Sequence, residues 1–134
     1  MILSGLKNYT NFGLLVLRIG LGAMMIYHGY PKLLGGPDKW TSIGGAVSSV
    51  GINFYPIVWG FLAAAAETIG GALFLIGFAF RLSTVLLFFT MLVASIMHIK
   101  EGHGVGEASH AIELAFVFFG LLFVGPGKFS VDKK

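Results

Sequence analysis

The chain has 134 residues, of which 56% are hydrophobic and 11% charged, with a formal charge of +3 and no cysteine. A soluble domain carries roughly 25% charged residues, so this balance, with a mean hydropathy of +0.86, excludes an ordinary soluble globule and points to an integral membrane protein. Without cysteine the chain cannot form disulfides, a thiolate nucleophile, a CxxC redox centre or a Cys-ligated iron–sulfur cluster; its Lys residues sit mostly at segment ends, which reads as membrane anchoring and not as nucleic-acid binding.

The N-terminus, MILSGLKNYTNFG, lacks the three-part pattern of a cleaved signal, so the first apolar segment reads as a retained span. That span covers about residues 11–30 and is expected to stop before Pro31, which disfavours a continuing helix. Trp40, Ile43, Val47 and Val50 then follow spacings of three and four, predicting a short amphipathic helix in the interface, against which Gly44, Gly45 and Gly51 count. Trp40, Tyr55 and Trp59 fit an aromatic belt on that side. The second span covers about 56–80 and the third about 82–99, joined almost without linker as a tight antiparallel hairpin. The fourth covers about 108–124 and stops at Gly125-Pro126-Gly127.

The fold class expected is therefore all-α: one membrane domain over residues 1–134, a four-helix bundle with a short interfacial helix between spans one and two. Small residues at Gly60, Ala64 and Thr68, at Ala63 and Gly71, and the pair Gly70-Gly71 let a neighbouring helix come close to span two. Lys7, Arg81, Lys128, Lys133 and Lys134 lie on one side, and Lys32, Lys39 and Lys100 on the other, which favours both termini in the cytoplasm.

Glu67 stands near the middle of the apolar run PIVWGFLAAAAETIGGALFLIGFAF. An ionisable group at that depth costs several kcal/mol unless paired or hydrated, and marks a candidate functional site. At about 1.5 Å per residue, Arg18 lies roughly 18 Å from the outer end of span one and Glu67 roughly 16 Å from that of span two. An Arg18–Glu67 pair is the simplest neutralisation of both, and it serves either as a register-fixing ion pair or as part of a site.

Nearer the outer face come His28, His98, His110 and Glu113, the last two at i and i+3 on one face of span four. An inward acid–His pair of this spacing builds metal sites in helix bundles, making His98, His110 and Glu113 the metal candidates, although the soluble motif is repeated on two helices and here occurs once. Hydrogen bonds between His98 and His110, or to loop carbonyls, are the plainer reading. Two of His28, His98 and His110 as axial haem ligands are a further option. His103, in the polar loop Lys100–Gly106, reads as solvated, and the loop glycines lack the strand-to-helix context of a dinucleotide site. A proton or quinone role needs fewer assumptions: an apolar cleft, with a His and a carboxylate to hydrogen-bond carbonyls and pass protons. Some of the 13 phenylalanines, as at Phe116, Phe118 and Phe119, would line such a cleft, and most would face lipid.

The segments LRIGLGAMMIYHGYPKL (Leu17–Leu33), AETIGGALFLIGFAFRLS (Ala66–Ser83) and GPGKFSVD (Gly125–Asp132) resemble, in order, three signatures of the DoxX family of small membrane proteins. The resemblance implies a four-helix protein of the cytoplasmic (inner) membrane, with relatives linked to a thiosulfate:quinone oxidoreductase or to redox complexes of oxidative and thiol stress. The positions that match the family pattern are Arg18, His28, Lys32, Glu67, Arg81 and His98, whereas His110 is less typical of it. The function expected is a quinone-linked redox subunit. Glu67, His98, His110 and Glu113 would do the chemistry, His28 and Arg18 would contact the substrate, and a soluble redox partner would supply electrons. A transporter or permeation module using the same polar core, and a metal or haem binder, are the competing readings. Membrane lipid is a partner in each, and Gly-rich helices are compatible with a homo-oligomer.

Overall fold

Glycine and alanine at helical spacing put little bulk between apolar helices, so their backbones can approach closely. In the computed structural model, which describes residues 1–133, the elements are α1 (Thr10–Leu34), α2 (Gly36–Gly44), α3 (Pro56–Ile76), α4 (Phe80–Lys100) and α5 (Gly104–Val124). Short 3₁₀ segments cover Ser4–Tyr9 and Gly45–Val50. Helices α1, α3, α4 and α5 are long and apolar enough to cross a membrane. The chain is an all-α, multi-pass membrane protein. Lys134, counted above on the side of the termini, lies outside the described residues.

Four boundaries differ from expectation. Helix α1 runs through Pro31 to Leu34. Proline forfeits one helical hydrogen bond without ending the helix, and the Trp40 indole N–H supplies the last turn from outside it, donating to the carbonyls of Lys32 at 3.1 Å and Leu33 at 3.2 Å. Helix α3 stops at Ile76 because Gly77 turns left-handed at φ 72°, its N–H returning to Leu73 and Phe74. The third span therefore starts at Phe80 and takes Arg81 into its first turn, where Arg81 Nε donates to the Leu122 carbonyl at 3.1 Å. Helix α5 begins at Gly104, leaving a loop of only Glu101–His103 before it.

Helix α3 packs on α1, α2 and α4, and α5 packs on α4. Among the described residues no Cα of α1 lies within 8 Å of one in α5. The core gathers Met25, Phe74, Leu87, Met91, Ala115 and Phe118, with Phe74 stacked on Phe80 at 5.0 Å and edge-on to Phe118 at 5.4 Å. Phe116 is 75% exposed and Phe119 46%, so both face the bundle's surroundings while Phe118 is core.

The predicted interfacial helix is present as α2 and the following 3₁₀ segment, which lie on α3 and α4. Gly44 seats α2 rather than weakening it. A Cβ at Gly44 would strike the Pro56 carbonyl, and one at Gly60 the Trp40 carbonyl, so the two backbones meet directly.

The residues after α5 fold back across the end of the bundle that holds the termini. Gly125, Pro126 and Gly127 are buried, Lys128 N–H donates to Asn11 Oδ1 at 2.8 Å, and the N–H groups of Val131 and Asp132 donate to Ile76 and Gly77. The Asp132 carboxylate accepts from Ala79 N–H at 3.1 Å and Phe80 N–H at 2.7 Å, capping α4 from a distant part of the chain.

Candidate functional site

Gly29, on the face of α1 toward α3, sets the site. A Cβ there would come within 2.7 Å of Glu67 Cβ and of Thr68 Oγ1, so only glycine lets the helices close at this level. Lys32 lies three residues on, on the same face. Its Nζ reaches both carboxylate oxygens of Glu67 at 3.1 Å. Glu67 is 5% exposed, whereas the Lys32 side chain is 35% exposed. The acid is fixed inside and its partner extends toward the edge, as long cationic side chains do near helix ends.

This corrects the pairing expected for Glu67. Arg18 does not meet Glu67. It lies at the other end of α3, where Nη1 donates to the Leu75 carbonyl at 2.7 Å and Nη2 to the Phe129 carbonyl. The depth estimate fails because it places the ends of spans one and two level. Gly29 faces Glu67 and Thr68, not Pro56, an offset of about 15 Å at about 1.5 Å per residue. A span that ends before Pro31 leaves Lys32 in a loop, whereas α1 runs to Leu34 and carries Lys32 on its last turn. The signal for it is the lone cation one turn beyond a glycine in the C-terminal half of α1.

The histidines form two pairs. His28 and His110 meet across the seam between α1 and α5, ring centroids 5.7 Å apart and planes at 62°. His98 Nδ1 contacts His103 Nδ1 at 2.9 Å, and His103 Nε2 lies 3.6 Å from Glu101 Oε2. His103, expected to be solvated, is exposed yet engaged, and His98 and His110 are not partners. Glu113 is exposed on α5. His98, His110 and Glu113 do not converge: among the described residues no group of three His, Asp or Glu is placed to hold a metal ion.

By helix direction Lys32 and both histidine pairs lie toward the end of the bundle opposite the termini, and Glu67, at mid-length of α3, lies deeper. Two open grooves lie at the other end, one against Ala79–Leu82 and Asp132, the other against Arg18 and the C-terminal segment. This half of the bundle thus offers an ammonium and imidazoles with a buried carboxylate beneath them, able to donate to carbonyls and to hold or pass protons.

The model of the DoxX family matches residues 13–99, which include Gly29, Lys32, Glu67 and His98 but neither α5 nor the closing segment. No curated protein and no solved structure matches the chain.

Proposed function

The chain belongs to the DoxX family, and from that premise we propose that it is the membrane subunit of a quinone-linked oxidoreductase, serving thiosulfate oxidation or an oxidative or thiol stress response. The observation that carries this reading is the Lys32–Glu67 pair, an intramembrane acid held by a cation that is itself half-open to the surroundings. Reduction of a quinone takes up two electrons and two protons. A Lys32 N–H can donate to a quinone carbonyl, and the Glu67 carboxylate can accept a proton and hand it on. His28, His98 and His110, toward the end opposite the termini, together with Glu113 on α5, supply a relay to the aqueous face. Arg18, remote from Glu67, has no part in it. A soluble partner delivers the electrons, because the chain carries no cysteine with which to hold an iron–sulfur cluster. Both termini lie in the cytoplasm and the protein in the cytoplasmic membrane.

The test is titration of the purified protein with a short-chain quinone analogue, read by tryptophan fluorescence. Saturable binding is expected, weakened about tenfold in Glu67→Gln and in Lys32→Gln. No binding, or the same binding in wild type, Glu67→Gln and His98→Ala, overturns the reading. Solute or proton flux in proteoliposomes that disappears with Glu67→Gln, without quinone binding, would establish a permeation module instead.

A further inference from the structure

At the end of the bundle that holds the termini, an open groove of about 850 Å³ runs between α1, the last turn of α3 and the C-terminal segment. Arg18 lies in its floor, 2% exposed. Among the described residues the guanidinium is bonded only to the carbonyls of Leu75 and Phe129, and its Nε is buried without a partner. Carbonyl dipoles, including the negative end of the α3 dipole, moderate a positive charge but do not cancel it. The carboxylate nearest in sequence on the groove's own strap, Asp132, is engaged with the amides of Ala79 and Phe80. Among the described residues no acid forms a salt bridge with Arg18. Lys128 and Lys133 add two exposed ammonium groups to the lining, which among the described residues therefore carries three cations and no acid. Its apolar side is turned outward: Ile19 is 49% exposed and Ile76 48%. Leu75 lies one residue before α3 ends, so the groove sits where the apolar span gives way to headgroups.

We propose that this groove binds an anionic phospholipid, its phosphate held by Lys128 and Lys133 in the field of Arg18 and its first acyl carbons laid along Leu15, Ile19 and Ile76. Basic pockets between membrane helices at headgroup level recognise such lipids, because the phosphate and the chain are satisfied together. The site is at the opposite end from Lys32–Glu67 and independent of the quinone reading.

The experiment is native mass spectrometry of the full chain released from micelles doped with phosphatidylglycerol or phosphatidylcholine, with inorganic phosphate as a third arm. Wild type is expected to retain one phosphatidylglycerol in preference to phosphatidylcholine. The double variant Lys128→Gln/Lys133→Gln, which leaves the buried Arg18 in place, should lose about tenfold of that preference. The double variant Lys7→Gln/Lys39→Gln, with the same charge removed elsewhere, should keep it. Equal retention of the two lipids, full displacement by millimolar inorganic phosphate, or equal losses in the two double variants each overturns the proposal. The first denies recognition of the headgroup, the second makes this a free-anion site, and the third reduces it to general surface charge.

Discussion

Arg18 and Glu67 are both ionisable, both almost fully buried and both inside membrane helices, yet the protein accommodates them in opposite ways. Arg18 is met by backbone carbonyls from α3 and from the returning C-terminal segment. Glu67 is met by one side chain, Lys32, that is open on one flank. Peptide dipoles cannot move or titrate, so the Arg18 end is built to stay as it is. A side-chain pair can exchange partners or protons, so the Glu67 end is built to change. Static partners mark architecture, and titratable partners mark candidate chemistry.

The largest effect that would test this contrast belongs to Arg18→Met. It leaves the Leu75 and Phe129 carbonyls without their donors and frees the C-terminal segment, for a loss of about 3 kcal/mol. The measurement is denaturant unfolding in detergent. A loss below about 1 kcal/mol would show that the segment is held without the guanidinium, and the static end would lose its keystone.

Next comes an asymmetry within the Lys32–Glu67 pair. Lys32→Met strands a carboxylate that is 5% exposed and is expected to cost about 2–3 kcal/mol. Glu67→Gln strands an ammonium that can turn to the surroundings, and should cost about 1 kcal/mol. The double variant should be less damaging than the sum of the two singles, by about 1–2 kcal/mol. Equal costs for the two single changes would mean that the pair is as closed as the Arg18 end.

Much of this architecture is legible in the sequence, for identifiable reasons. Four apolar runs of membrane-spanning length declare themselves locally, and Glu67 stands out because one acid interrupts such a run. The spacing of Trp40, Ile43, Val47 and Val50 likewise finds the short helix between the first two spans. What cannot be read locally is the level at which helices align. That level is set by contacts such as Gly29 on Glu67 and Gly60 on the Trp40 backbone. A helix that continues through proline moved Lys32 from loop to partner, and a register offset moved Arg18 away from the acid. The Asp132 cap on α4 is invisible for the same reason, since it joins positions 53 residues apart.

That cap supplies a smaller test of the static end. Asp132→Ala removes both acceptors for the amides of Ala79 and Phe80 and should cost about 1 kcal/mol, within the usual range for a helix cap. Hydrogen exchange should locate the change in the first turn of α4 and leave the Lys32–Glu67 level unaltered. Exchange that also rises around Glu67 would show that the two ends are not mechanically separate.

The smallest effect is expected at the other end, in His103→Ala. The 2.9 Å contact between His98 Nδ1 and His103 Nδ1 requires one ring to donate and the other to accept, so it fixes a tautomer on each. His103 is exposed, and water can take its place on His98. The stability loss should stay within about 0.5 kcal/mol, while the ¹⁵N shifts of His98 should report the altered hydrogen bonding of its Nδ1. A shift change with little stability change is what a titratable, replaceable contact predicts. A loss matching that of Asp132→Ala would mean that the histidine end is also structural scaffolding, and the division between a fixed end and a chemically responsive one would not hold.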